Sequence, residues 1–315
     1  MPSPQVVTFS LPGQTPDTRI TIFQLKELRV HSSILKLYSA YFRKFMDSPD
    51  KEPASSSAVW KYDWTAKVEE DGSWYVVDKR GQESKKQRSA TSCGNLDIMA
   101  FENIIMSMYQ KPYEITSTEH LQEITTLADF YRCLPVVSNS LYSAFFRSPK
   151  FLASVYDRRE VLLELACKLR HRELFNDCLV LISGYWPPNQ LPFKTKIEDK
   201  RLAWLAENVH NQVVTALARS IQNILMKKSA TEAGRVLNAS VSGTKDSLVQ
   251  YHVRLQKFLY LSDILEDITK NNLKLNTSAV AGEGEYIHNF LHIELKEEDI
   301  PWDTTETDCL NRKCS

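Results

Sequence analysis

Residues 28–46, LRVHSSILKLYSAYFRKFM, decide the fold of this chain. The first three residues alternate between apolar and basic, which is the period of a half-buried strand. Ser32 or Ser33 is expected to cap a following helix, because a serine hydroxyl accepts a hydrogen bond from an unpaired backbone NH. Apolar residues then recur at helical spacings of three and four: Ile34, Leu35, Tyr38, Tyr41, Phe42 and Phe45. Ser39 interrupts this stripe and is expected to cap a second helix, so the stretch predicts strand, helix, break and helix.

The residues before this stretch favour strands. Residues 1–18 hold four prolines and a glycine, which exclude a helix. Within them, residues 6–11 are expected to form a short edge strand. Residues 19–23 alternate between isoleucine and polar side chains, and they are expected to pair with the strand at 28–30 through a turn at 24–27.

The order of residues in 28–46 resembles the signature of the BTB/POZ domain, in which a strand ending in Val-His feeds a leucine-bearing helix and then Ser-x-Tyr-Phe. Here the matching residues are Val30-His31, Ile34-Leu35 and Ser39-Ala40-Tyr41-Phe42. Two later segments match the family in the expected order: residues 101–113, FENIIMSMYQKPY, and residues 121–134, LQEITTLADFYRCL. The resemblance covers residues 17–147 with an insertion at 48–97, and it extends to fungal members that carry a similar insertion and helical tail.

The resemblance implies an α+β BTB/POZ fold, a small sheet flanked by a helical cluster. It assigns the fold signature to Val30, His31, Leu35, Ser39, Tyr41, Phe42, Phe101, Tyr109, Leu127, Ala128, Asp129 and Tyr131. It also implies that His31 is structural, with a ring nitrogen bonded within the fold. Helical spacing and the family match together predict one shared core for six residues: Leu35, Phe42, Phe101, Leu127, Ala128 and Tyr131.

The insertion is expected to contain a β-hairpin. Residues 59–64 and 74–77 are rich in aromatic and β-branched side chains, and the Asp71-Gly72 pair between them is a hairpin signal. Its three tryptophans form a candidate partner-binding surface: Trp60, Trp64 and Trp74.

A local basic run follows the hairpin at residues 79–88. It is either a nuclear import signal or phosphate contact, or a solvated loop, and charge runs are more often solvated. Its cations are Lys79, Arg80, Lys85, Lys86 and Arg88.

Beyond residue 147 the apolar periodicity is helical. Within an all-α extension at 148–228, it predicts helices over 161–169 and 174–182 and a long helix over 199–228. Residues 229–246 are rich in Ala, Ser, Gly and Thr, which is typical of a linker.

Another helix is expected over 247–272, followed by an acidic, partly disordered tail over 273–315. Within the tail, alternation of Leu291, Ile293 and Leu295 predicts a short strand.

Composition excludes several classes of function. The 39 basic and 39 acidic residues cancel, so no global field attracts nucleic acid or an anionic membrane. No apolar stretch approaches the roughly 18 residues of a membrane span, and the amino terminus lacks the pattern of a secretory signal. The six cysteines show no C-x-x-C and no close pairing, so we expect an intracellular, reducing compartment, cytoplasmic or nuclear.

The sequence carries no motif for phosphate binding, nucleophilic catalysis or a metalloprotease, so neither enzyme activity nor a cofactor is expected. His288 and His292, with Cys309 and Cys314, have the composition of a zinc site. The histidines lie where a strand is expected and the cysteine spacing is unusual, so no metal is expected either.

These features predict a noncatalytic protein-interaction module that docks partners through helix faces and a sheet edge. The resemblance leaves two narrower roles open: self-association, and service as a substrate adaptor on a cullin-type ubiquitin ligase. Tight cullin binding is not expected, because Asp50-Lys51-Glu52 stands where adaptors carry a hydrophobic-x-Glu element. The swapped homodimer of the family needs an amino-terminal helix, which the prolines of residues 1–18 exclude.

Two alternatives lie outside this class. One is a nuclear or transcription-associated factor that uses the basic run at 79–88. The other is an enzyme with an unrecognised site, which would need a pocket with convergent polar groups.

Overall fold

The computed structural model describes residues 3–48, 58–79, 94–188, 195–227, 234, 247–256, 262–292 and 295–303. These residues form two compact units, an amino-terminal unit within Met1–Ser148 and a carboxy-terminal unit within Pro149–Thr307. The protein belongs to the mixed α+β class, because one sheet and many helices occur in the described ranges.

Five described strands form one sheet in the amino-terminal unit: Gln5–Thr8 (β1), Thr18–Ile22 (β2), Lys26–Val30 (β3), Tyr62–Val68 (β4) and Trp74–Asp78 (β5). They lie in the order β1-β3-β2-β4-β5, so β1 and β5 are the edges. The β2–β3 and β4–β5 pairs are antiparallel, whereas β1–β3 and β2–β4 are parallel. The predicted strands before residue 31 and the predicted hairpin are therefore confirmed.

Five described helices complete this unit: Ser32–Tyr38 (α1), Ala40–Met46 (α2), Asn95–Met108 (α3), Thr118–Phe130 (α4) and Leu134–Arg147 (α5). The core lies between the sheet and the helices. The ring of Phe42 packs edge-on against Trp64 at 5.6 Å, and Trp74 contacts Phe101 at 5.7 Å. The six residues expected to share a core are all buried, which confirms that prediction: Leu35, Phe42, Phe101, Leu127, Ala128 and Tyr131.

The hairpin within the predicted insertion at 48–97 is part of the sheet. Strand β4 pairs with β2 along the register from Thr18↔Tyr62 to Thr21↔Thr65, so the hairpin belongs to the central sheet. Helix α3 also begins at Asn95, inside the predicted insertion. The predicted domain also begins too late, at residue 17. Strand β1 precedes that residue and belongs to the sheet, because it pairs with β3. The sequence pattern did not indicate that β2 pairs with β4, because the two strands are far apart in the chain.

The start of α1 also differs from the prediction. Its N-cap residue is His31, which makes no side-chain capping bond. Ser32 instead donates to Asp17, from its NH to Oδ1 at 2.7 Å and from its hydroxyl to Oδ2 at 2.6 Å. Burial alone would raise the pKa of Asp17, but the hydrogen bonds from Ser32 and Thr18 outweigh it and lower the pKa. The carboxylate of Asp17 thus caps the start of α1 in place of the hydroxyl of Ser32 or Ser33. The cap on α2 is confirmed, since the Ser39 hydroxyl accepts from the NH of Phe42 at 3.2 Å.

The described part of the carboxy-terminal unit has no strand and is built on six α-helices: Pro149–Ser154 (α6), Arg159–Leu169 (α7), Arg172–Ser183 (α8), Lys200–Lys227 (α9), Leu248–Gln256 (α10) and Ser262–Thr269 (α11). The helices predicted over 161–169 and 174–182 and the long one over 199–228 are present as α7, α8 and α9. The single helix predicted over 247–272 is wrong, because α10 and α11 are separate helices. The predicted linker at 229–246 lies outside the described residues except for residue 234.

The described residues of the predicted tail before 293 pack into the carboxy-terminal unit. Asn289 is buried and its side-chain amide donates to the carbonyl of Leu181 at 2.8 Å. The NH of Phe290 donates to the carbonyl of Gly184 at 2.9 Å. A Cβ at Gly184 would lie 1.9 Å from the carbonyl oxygen of Phe290, so only glycine permits this approach.

The short strand predicted in the tail is not formed in its described part. Leu291 is buried outside any strand, and the nearby pairing is an isolated bridge between Tyr185 and Asn289. Ile293 and residues 304–315 lie outside the described residues. Across the described ranges, every helix is too short or too polar for a bilayer crossing.

Candidate functional site

His31, the N-cap residue of α1, is built into the core. It is buried at the end of β3, and its Nδ1 atom lies 2.9 Å from the hydroxyl oxygen of Tyr109. The same hydroxyl accepts the backbone NH of His31 at 2.7 Å. The predicted bond of a ring nitrogen within the fold is therefore present, and Tyr109 is its partner.

The described residues hold no group of three side chains placed to ligate a metal ion. His288 and His292 are described, whereas Cys309 and Cys314 are not. Of the basic run, only Lys79 lies within the described residues.

The three hairpin tryptophans do not form one exposed surface, which corrects that expectation. Trp64 and Trp74 are 2% and 8% exposed, because both project from the sheet into the core. Trp60 lies outside β4 and is half-buried, with the guanidinium groups of Arg19 and Arg29 at 5.9 Å and 5.6 Å from its ring. Of the three, only Trp60 remains available at the surface.

Other aromatic side chains of the same unit do form an exposed cluster. Phe45 at the end of α2 is 44% exposed, and Phe130 at the end of α4 is 45% exposed. The ring of Tyr41 joins them, with its centroid 4.6 Å from that of Phe45 and 5.4 Å from that of Phe130. Tyr75 on β5 extends the cluster, 5.8 Å from Phe130. We name this cluster the aromatic surface: Tyr41, Phe45, Tyr75 and Phe130.

The aromatic surface is fixed to the core beneath it. The Tyr41 hydroxyl donates to the carbonyl of Val76 at 2.9 Å, and its ring packs edge-on against Tyr131 at 5.0 Å. The NH of Val76 in turn donates to the Tyr131 hydroxyl at 3.0 Å. Two tyrosines thus occupy both backbone groups of Val76 at the β5 edge. Burial raises the pKa of Tyr41 to about 12, so its hydroxyl stays protonated at neutral pH.

Charged side chains surround the aromatic surface. Lys67 lies 2.8 Å from Glu69 and 5.5 Å from the ring centroid of Tyr75. Arg132, just after α4, pairs with Asp129 at 3.5 Å. Lys44 lies 5.7 Å from the ring centroid of Phe45. The surface therefore has an aromatic centre with a polar rim, which is the usual anatomy of a protein interface.

Sequence reasoning placed Tyr41 and Phe45 on a helical stripe but did not identify the aromatic surface. Adjacent residues of a helix can both be buried, as Leu127 and Ala128 are on α4, so the pair Phe130-Tyr131 gave no signal that one ring lies outside the core. Tyr131 is buried, whereas Phe130 is exposed.

Comparison of the chain with protein-family models, with curated proteins and with solved structures finds no match in any of the three.

Proposed function

We propose that this chain is a noncatalytic protein-interaction module of BTB/POZ type, which docks a partner protein through the aromatic surface. One observation carries the proposal: Phe45 and Phe130 expose nearly half of their side chains, and Tyr41 joins their rings on a fixed core. Clustered exposed aromatic residues mark interaction sites more often than single exposed apolar residues do.

Aromatic anchors suit this role energetically. Covering the exposed half of one phenylalanine ring contributes on the order of 1 kcal/mol, and aromatic residues are enriched at the energetic centres of interfaces. The hydrogen bond from Tyr41 to Val76 holds the centre of the surface in place before a partner arrives. Such preorganisation lowers the entropy cost of association.

The BTB/POZ part of the proposal is supported by the roles of the signature positions. Nine of the twelve are buried, and Ser39 and His31 make the capping and core hydrogen bonds expected of them. Asp129 is half-buried and its carboxylate faces Arg132.

Service as a cullin adaptor is a narrower version that no observation favours. Residues 50–52, where the adaptor element would stand, lie outside the described residues. We expect no stoichiometric cullin to co-purify with the chain, and its presence in equal amount would overturn this expectation. A nuclear factor that uses residues 79–88 is likewise without a supporting observation.

The experiment is affinity capture with the intact chain, read by quantitative mass spectrometry. The test variant is Phe45→Ser combined with Phe130→Ser. The matched control is Phe146→Ser, because Phe146 on α5 is 90% exposed but lies outside the aromatic surface. We expect at least one partner to be lost by about tenfold or more with the test variant and retained by the control. A partner set that is unchanged by the test variant would refute docking through this surface, provided that both variants unfold at the wild-type midpoint.

A further inference from the structure

One side of the long helix α9 carries exposed apolar side chains at the spacing of a coiled coil. The helix packs into the carboxy-terminal unit through a buried face that runs from Leu202 to Ser220. Beside this face, four apolar residues follow one another at intervals of four, three and four, and all four are exposed. Alternating intervals of three and four are typical of a coiled-coil seam. We name this set the heptad stripe: Val214, Ala218, Ile221 and Leu225.

The heptad stripe lies toward the free end of the helix. Val214 and Ile221 are each 40% exposed, and Leu225 is 57% exposed. Among the described side chains of α9, Ser220 is the last one that is buried. The second half of the stripe therefore extends past the point where the helix packs within its own unit.

The border of the heptad stripe on α9 is neutral. Continued toward the start of the helix, the same spacing reaches the polar residues Asn211 and Glu207, so the stripe begins at Val214. The exposed residues that adjoin it further round the helix, Thr215 and Gln222, carry no charge. Residues 208–227 contain no acidic side chain at all. A surface that matches this one is therefore apolar and uncharged where it makes contact.

The heptad stripe complements itself when two copies of α9 run in opposite directions. About a two-fold axis that passes between residues 219 and 220, Val214 faces Leu225 of the second copy, and Ala218 faces Ile221. Each pair sets a smaller side chain against a larger one, which lets the two rows interdigitate. In a parallel pairing, Ala218 would instead face Ala218 and leave a gap, and unfilled gaps are destabilising.

We propose that the heptad stripe binds a second copy of this chain, through an antiparallel pairing of the two α9 helices. A two-fold contact needs only one patch that is complementary to itself. The overlap from residue 214 to residue 225 is about 18 Å long. Four side chains cover much less than the roughly 800 Å² per partner of a standard interface, so the dimer is weak, with a dissociation constant on the order of 100 µM. This inference does not use the aromatic surface and goes beyond the proposed function.

Two other occupants fit the heptad stripe less well. Helices that lie on a membrane surface have a polar face rich in Lys and Arg, whereas the face of α9 next to the stripe is buried in its own unit. A helix of an unrelated protein is selected in a coiled coil by charges that flank the seam. The neutral border of the stripe provides no such selection, but it does not oppose a second copy.

The test is sedimentation equilibrium of the intact chain between about 5 µM and about 500 µM, a range that brackets the expected dissociation constant. We expect the average mass to rise from that of one chain toward that of two. Leu225→Glu should weaken the dimer by about tenfold or more, because it places a carboxylate against the apolar side chain of Val214. Met226→Glu is the matched control and should dimerise as the wild type does. Met226 is the adjacent residue, is 77% exposed, and points about 100° round the helix from Leu225.

A mixture of two variants tests the direction of the pairing. Val214→Lys alone should also weaken the dimer. Mixed with Leu225→Glu, it should restore association to within about threefold of the wild type, because the new ammonium and carboxylate groups face each other only in the antiparallel pair. Restoration in the mixture also shows that both variants are folded. Weakening by each variant without restoration in the mixture would overturn the antiparallel pairing.

The remaining outcomes separate this inference from the proposed function. A wild-type chain that stays monomeric up to about 500 µM would overturn the dimer and leave docking through the aromatic surface untouched. A dimer that Leu225→Glu leaves intact would also overturn the inference. If that dimer is lost in the Phe45→Ser and Phe130→Ser double variant, self-association uses the aromatic surface instead.

Discussion

The hydroxyl of Ser39 donates a 2.6 Å hydrogen bond to the carbonyl oxygen of Tyr131, 92 residues further along the chain. The same hydroxyl accepts the NH of Phe42 at 3.2 Å, and Tyr131 is the residue that ends α4. One buried side chain therefore caps the start of α2 and satisfies a carbonyl at the end of α4. The start of the helix that carries Phe45 is therefore tied to the end of the helix that carries Phe130.

Ser39→Ala is expected to destabilise the protein by about 2 kcal/mol. The substitution removes a helix cap and leaves the buried carbonyl of Tyr131 without its hydrogen bond from Ser39. The free energy of unfolding in urea measures the effect. Ser33→Ala is the control, because Ser33 is exposed in the first turn of α1 and is expected to change stability by less than about 0.5 kcal/mol. Equal effects of the two substitutions would show that the Ser39 bond does not matter.

Leu35→Ala is expected to cost about 2–5 kcal/mol, the usual range for truncating a fully buried leucine. Leu37→Ala, two residues along the same helix, provides the comparison because Leu37 is 55% exposed. Its effect should stay below about 1 kcal/mol. Urea unfolding measures the free energy of unfolding of both variants. A loss at Leu35 no larger than that at Leu37 would contradict the assignment of the core face of α1.

Local periodicity predicted the elements of the amino-terminal unit that bury one face. The alternation before His31 corresponds to β3, and the Asp71-Gly72 turn joins the paired strands β4 and β5. Contacts between distant residues were not predictable. Asp17 replaces the serine cap of α1 because its carboxylate reaches the amide of Ser32 across the fold. In the carboxy-terminal unit, Phe290 is buried because Gly184 admits its backbone, and no pattern around either residue indicates this pairing.

The same limit applies to the candidate site. Trp64 and Trp74 were expected to form part of a partner-binding surface, but β4 and β5 belong to the central sheet and both side chains lie on its core face. Phe130 and Tyr75 become neighbours only when the end of α4 meets the edge strand β5. Such a juxtaposition of distant elements leaves no local trace in a single sequence.

The stability of the protein is expected to fall on mild acidification, because burial lowers the pKa of four histidines: His120, His171, His210 and His252. The folded state holds each ring neutral, so the unfolded chain takes up protons first. The contribution to stability is complete above the unfolded pKa of about 6.5 and is lost as the pH falls below it, by at most about 1.4 kcal/mol per pH unit for each histidine.

Urea unfolding between about pH 7.5 and about pH 5.5 measures this loss across the range where histidine titrates. The lowered pKa of Asp17 acts separately, since its contribution is lost only below about pH 4. Stability that stays constant or rises down to about pH 5.5 would contradict the neutral, buried state of these rings.

Strand β1 pairs with β3 of its own chain, so no strand exchange between two copies is expected. Val6 and Glu27 are register partners on these strands, at a spacing that a disulfide can bridge. After oxidation, the Val6→Cys and Glu27→Cys double variant should run as a monomer with an internal disulfide on a non-reducing gel. Val6→Cys alone is the control for intermolecular disulfides. A covalent dimer specific to the double variant would demonstrate the swapped arrangement.

The most direct measurement of docking through the aromatic surface is site-specific photo-crosslinking in the source cell. A photoreactive phenylalanine analogue replaces Phe45 in one variant of the intact chain and Phe146 in another, since both side chains are exposed aromatic residues of the same unit. We predict a discrete crosslinked protein with the probe at Phe45, absent with the probe at Phe146 and absent when Phe130→Ser is added to the Phe45 variant. The same crosslinked protein from both positions, or none from Phe45 when the captured partners are present, would contradict docking through the aromatic surface.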